Sequence, residues 1–238
     1  MENKDSRTFK ISPEIEMRKV QFMNRYGITL AGDLYLPKNY EDKKNPAVIV
    51  AGPFGAVKEQ ASGLYAQELA ARGFVSIAFD PSFGGESGGE VRNTASPDIF
   101  TEDYSAAVDY IGLLPYVDRE RIGVVGICGL SGMAVTAAGT DTRIKAVATF
   151  SMYDMSRDMS KGHMDYYTEE QRNKIKEYLS RQRWKDAENG TFALGNHEIA
   201  FDENNEPITG MMEIPQELPE GADPAFAAFY NYYAVRAK

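Results

Sequence analysis

Apolar and polar residues alternate along Met17–Asn24 and Ile28–Leu36, on either side of Arg25, Tyr26 and Gly27. That period of two predicts an antiparallel hairpin with one solvated face at the edge of a sheet. After the polar stretch KNYEDKKN the pattern changes. Ala47–Ala51, Phe74–Phe79 and Ile144–Phe150 are continuous short apolar runs, the mark of strands buried in a parallel sheet. Between the first two, Ala61, Leu64, Tyr65 and Leu69 recur at helical spacing within Lys58–Arg72 and stop at Gly73. Tyr104, Ala107, Val108 and Ile111 do the same within Pro97–Leu114.

The most informative stretch is Arg121–Gly139, RIGVVGICGLSGMAVTAAG. Its first seven residues are rich in β-branched apolar side chains and read as another buried strand. Past Gly129, Met133, Ala134, Val135, Ala137 and Ala138 suit a helix packed closely on a sheet. A strand therefore turns sharply into a helix with Cys128 at the bend, where the positive end of the helix and nearby donors favour the nucleophilic thiolate. Strands alternating with helices after Pro46 imply βαβ units and a mostly parallel sheet. From Ser151 the chain becomes charged and rich in Met and Tyr, mostly helical in pattern to Gly190, loop-like to Gly221, and helical again over the last residues. The organisation expected is an α/β core over residues 1–150, with an antiparallel N-terminal hairpin, and a helical cap or lid over residues 151–238.

Composition narrows the chemistry. With 238 residues, 43% hydrophobic, the chain can bury an ordinary core, and no apolar run approaches the ~20 residues that cross a bilayer. The polar N-terminus lacks a signal-peptide core, so a cytoplasmic location is expected. A net charge of -9 argues against nucleic-acid and anionic-membrane partners. One cysteine excludes an internal disulfide. With only His163 and His197 beside it, it also excludes the familiar structural zinc sites. The run Gly84–Gly89 lacks the Lys-Ser/Thr of a phosphate loop and reads as a turn.

These residues resemble the α/β-hydrolase superfamily, in its dienelactone-hydrolase-like and bacterial peptidase- or esterase-like branch. Val50–Gly55 (VAGPFG) is similar to the loop that completes an oxyanion hole, which assigns that role to the Phe54 N–H. Phe79–Gly89 (FDPSFGGESGG) is similar to the turn after the next strand. Gly126–Gly132 (GICGLSG) resembles the nucleophile elbow, with Cys128 as nucleophile and the Gly129 N–H as second oxyanion donor. The elbow calls for small residues two positions either side of the nucleophile, and Leu130 departs from this. In the alternative register Ser131 is the nucleophile and Met133 the misfit, but Ser131 falls nearly a turn into the helix. Asp154, just past Phe150, is a candidate orienting acid with helix capping as its default role. His163 and His197 lie in the cap with nothing to mark either as a base.

The resemblance implies hydrolysis of an ester, lactone, thioester or amide on a small acyl substrate, with no metal or organic cofactor. It also implies an acid and a histidine carried after two further strands, which no segment here supplies. A C-terminal fragment or a second chain is therefore expected to complete the sheet beside Ile144–Phe150 and bring the base. The alternative is a non-catalytic binding or scaffold protein that keeps the fold.

Overall fold

A computed structural model describes residues 7–195, 201–207 and 235–236. Six strands form one mixed sheet: β1 (Ile15–Met23), β2 (Thr29–Pro37), β3 (Asn45–Ala51), β4 (Val75–Phe79), β5 (Val117–Ile127) and β6 (Ile144–Phe150), in the spatial order β1-β2-β4-β3-β5-β6. β1 and β2 pair antiparallel, β2 joins β4 antiparallel, and β4, β3, β5 and β6 run parallel. The fold is an α/β architecture of the kind the sequence pattern predicts. Helices α1 (Ala61–Ala71), α2 (Pro97–Gly112) and α3 (Leu130–Thr140) cover its faces. Pro97 opens α2 where its missing N–H costs nothing.

The hairpin differs from expectation in one respect. β1 keeps an exposed face, but every residue of β2 from Leu30 to Pro37 is buried. On one face Tyr35 packs with Ala66 and Ala70 of α1, and on the other Leu30, Leu34 and Leu36 join the main core with Ile49, Ile77 and Tyr104. Asp33, wholly buried on this strand, is paired with Arg7 at 2.9 Å. β2 is thus an interior strand, and alternation along its sequence reports a buried charge, not a wet face.

At the opposite edge lies β6. Ile144 is buried, but Lys145–Phe150 are all exposed, with Val147 at 42% and Phe150 at 41%. Beyond it come α4 (Met155–Lys161) and α5 (Glu169–Asn189). Thr168 and Gln171 form a reciprocal capping box at the start of α5, and Gly190 ends it in the left-handed conformation. No residue of α5 is buried. Leu194–Gly195 pair antiparallel with Val235–Arg236, so those last two residues are extended where a helix is expected; residues 223–234 and 237–238 of that segment, and His197, lie outside the described residues. No described helix is long and apolar enough to cross a membrane.

Candidate active site

Cys128 follows β5 directly and has φ of 56°, a left-handed conformation that L side chains rarely adopt. Its side chain is half-buried. The backbone around it is tied on both sides: its N–H donates to the Phe150 carbonyl at 2.8 Å, and its carbonyl accepts from the Ser131 N–H at 3.1 Å and the Tyr153 N–H at 3.3 Å. A strained non-glycine residue held this firmly at a strand-to-helix bend is over-determined by its surroundings, as nucleophiles on such bends are.

Two glycines make the bend possible. A Cβ on Gly126 would lie 2.5 Å from the Ser131 Cα and 2.9 Å from the Ala134 Cβ. One on Gly129 would lie 2.5 Å from the Phe54 Cβ and 3.0 Å from the Met155 sulfur. The first lets α3 fold back onto β5. The second brings the loop after β3, the elbow and α4 together at one point. Leu130, the residue that departs from the elbow pattern, turns its side chain into the main core and is 1% exposed. The Tyr104 hydroxyl, buried under the elbow, lies 3.3 Å from both the Val125 and Leu130 carbonyls.

Ser131 is wholly buried, and its hydroxyl has no hydrogen-bond partner among the described residues. Asp154 accepts a hydrogen bond from the Arg157 N–H at 3.0 Å and caps α4. His163 is exposed, with Nδ1 3.7 Å from Asp158 and its ring beside Tyr153. Among the described residues, no three His, Cys, Asp or Glu side chains converge as metal ligands would. A crevice of about 20 Å³, room for one water molecule, lies between Phe54, Phe83, Phe100 and Leu130, with Ser82, Asn93 and Thr94 also on its wall.

Two buried polar clusters at the turn after β4 are not visible in sequence motifs. Lys58, 1% exposed, places its ammonium 2.7 Å from Glu59, 3.0 Å from Asp80 and 2.7 Å from Glu86. Burial works against its charge, but the Asp80 and Glu59 carboxylates more than compensate and hold its pKa above the ordinary lysine range. Asp80, fully buried, is pushed up to about 6 by burial against the opposing pull of Lys58. In the second cluster Asp103 of α2 accepts from the Ser82 N–H at 2.7 Å, the Ser82 hydroxyl at 2.8 Å and the Asn24 amide at 2.8 Å. Burial pushes it to about 6 as well, against those donors. Asp80, which directly follows β4, is the hub of the first cluster. It accepts from the backbone N–H groups of both Lys58 and Glu86 and holds the glycine-rich run in place.

The X-Pro dipeptidyl-peptidase (S15 family) model matches residues 26–198. The uncharacterized protein PA2218 of Pseudomonas aeruginosa is 65% identical over 185 residues, 78% of this chain and 50% of that protein. The crystal structure of PA2218 superposes with a TM-score of 0.78 at 64% identity, over 80% of this chain and 59% of that one. The thiohydrolase aneE of Aspergillus aculeatus is 33% identical over 138 residues, 58% of this chain and 42% of that protein. The α/β hydrolase GrgF from Penicillium sp. sh18 has the same fold, with a TM-score of 0.66 at 22% identity over 82% of this chain and 62% of that one. The chain spans about half the length of the curated relatives it matches.

Proposed function

The chain belongs to the X-Pro dipeptidyl-peptidase (S15) family and has an α/β-hydrolase fold, and from that premise we propose that it is the nucleophile-bearing part of an acyl hydrolase whose attacking atom is the Cys128 sulfur. The observation that carries the reading is the φ of 56° at Cys128, on the turn between β5 and α3. The reaction follows from what surrounds it. The Cys128 thiolate adds to the acyl carbonyl carbon, forming a C–S bond. The Phe54 and Gly129 N–H groups stabilise the oxyanion, the bond to the leaving group then breaks, and water cleaves the resulting thioester. The thiol proton passes to a histidine held by an acid.

That base and acid come from strands beyond β6, supplied by further C-terminal sequence or a second chain. The support is the exposed edge at Lys145–Phe150, since a bare apolar edge strand invites pairing, together with the length of the relatives. Small-molecule acyl compounds are the substrates. The thiohydrolase relative favours thioesters among the possible leaving groups.

The test is acylation by p-nitrophenyl acetate, followed by intact mass at pH about 9, above the ordinary thiol pKa of about 8.5, so that the missing base is not required. A single added acetyl group at Cys128, lost in Cys128→Ala, is the expected result. An unacylated Cys128 that still reacts with iodoacetamide would favour a scaffold that only keeps the fold.

A further inference from the structure

Lys58 stands four residues after Phe54, at the end of the loop that leaves β3. Its backbone N–H donates to Asp80 Oδ1 at 2.7 Å, and its ammonium reaches Asp80 Oδ2 at 3.0 Å. The same Oδ2 accepts from the Glu86 N–H at 2.9 Å, and the Glu86 carboxylate returns to the Lys58 ammonium at 2.7 Å. Ser87 closes the ring by donating its hydroxyl to the Asp80 carbonyl at 2.6 Å. At Gly85, whose φ is 48°, a Cβ would collide with the Asp80 carboxylate, so the glycine-rich loop approaches Asp80 as closely as a backbone can. One carboxylate at the end of β4 thus fastens two loops, and Lys58 is the cation that links them.

A cluster of this kind is a poor device for stability alone. One ammonium and the two carboxylates of Glu59 and Asp80 lose their hydration here, with Glu86 half-exposed at the rim, and apolar side chains of the same volume generally hold a core as well or better. What the ion cluster adds is direction, because a fork of short charge-assisted bonds tolerates little displacement. The part of the molecule whose position it fixes is the loop Gly52–Lys58, which carries Phe54 against Gly129.

We propose that Lys58 is a positioning residue for the oxyanion hole: it clasps the Phe54 loop to Asp80 and Glu86 so that the Phe54 N–H stays aimed at the acyl oxygen above Cys128. The proposal rests on the reading of Phe54 and Cys128 given above. Misplacement of a catalytic donor by ~1 Å costs on the order of 100-fold in rate.

The experiment compares two reactions of the same sulfur. Acylation by p-nitrophenyl acetate passes through an oxyanion; alkylation by iodoacetamide does not. Because Cys128 is the one cysteine of the chain, intact mass with Cys128→Ala as background reports both rates. In Lys58→Met the acylation rate should fall about 10-fold or more, with alkylation within about twofold of wild type. Hydrogen exchange should quicken in residues 52–58 and 84–89 but not in β5. Glu86→Ala, which removes a half-exposed carboxylate and leaves the core intact, should give the same pattern at about threefold, and it decides the matter if Lys58→Met does not fold. Faster exchange with an unchanged acylation-to-alkylation ratio would make the cluster merely structural and overturn the proposal, as would no change in either. A wild-type chain that alkylates but never acylates would remove the nucleophile reading and this proposal with it. That failure is recognised by its presence before any substitution.

Discussion

Gly129 packs so tightly against Phe54 that a Cβ on residue 129 would come within 2.5 Å of the Phe54 Cβ. The two residues proposed as oxyanion donors, 75 positions apart in sequence, are therefore packed with the Gly129 backbone against the Phe54 side chain, and no side chain fits between them. Gly129→Ala must push the loop after β3 away from the elbow, or push Met155 of α4 aside. Acylation of Cys128 by p-nitrophenyl acetate should fall at least about 10-fold, while iodoacetamide alkylation changes little, because only the first reaction uses the donors. Equal loss of both rates would point to damage at the sulfur itself.

The left-handed backbone at Cys128 gives a second expectation. A residue with a Cβ is strained there by about 1 kcal/mol relative to glycine. Cys128→Gly should therefore melt about 2–4 °C above Cys128→Ala in a chain of this length, and both should lose acylation completely. Scanning calorimetry or a dye-based melt of the two variants side by side checks it. The comparison with Ala removes the effect of losing the sulfur, so a Gly variant no more stable than the Ala variant would contradict the strain.

Ser131 offers the cleanest test of the alternative register. Its hydroxyl is buried without a partner among the described residues, a situation that costs about 1 kcal/mol or more. Ser131→Ala should leave acylation at the wild-type rate and raise stability by about that amount, read from urea midpoints. Loss of acylation with Cys128 intact would move the nucleophile to Ser131.

Where local pattern governs, the sequence was a good guide: the strand Ile144–Phe150 ends where its apolar run ends, and the elbow follows from a β-branched run broken at Gly129. What could not be read was set by tertiary proximity. Lys58 and Asp80 are 22 residues apart, and in sequence a lysine beside a glutamate is a solvated pair. Only the parallel pairing of β3 with β4 brings their ends together and buries them. The same holds for β2, whose second face is covered by α1 and whose Asp33 is buried by Arg7 from the N-terminal segment. Leu130 breaks the small-residue rule because its side chain points into the core, a direction the motif does not encode.

Asp103 makes stability depend on pH in a stated direction. Burial raises its pKa from 3.8 to about 6 in the fold, so the folded chain favours the protonated acid. Its contribution is fully present below about pH 4 and is lost as pH rises through about 6. Between pH 5 and 7 the loss is on the order of 1 kcal/mol. Asp103→Asn, which cannot ionise, should flatten the fall in melting temperature over that interval relative to wild type. A wild-type and variant pair whose melting temperatures run parallel from pH 5 to 7 would show that Asp103 titrates normally.

The edge at β6 carries the last expectation. Val147, on the edge strand of the sheet, is 42% exposed and Phe150 is 41% exposed, with the Phe150 ring 4.8 Å from that of Tyr65. Strand edges of this kind pair with whatever extended chain is available. At tens of micromolar the chain by itself should self-associate, as seen in light scattering. Val147→Lys places a charge on the exposed face, where it costs little in the isolated chain and opposes pairing with another apolar strand. The variant should therefore keep the wild-type melting temperature while its scattering falls toward that of a monomer. In a form where further strands cover β6, the same lysine is buried, and the melting temperature should drop by several degrees. A lysine tolerated equally in both settings would mean that nothing docks on this edge, and the source of the histidine would have to lie elsewhere.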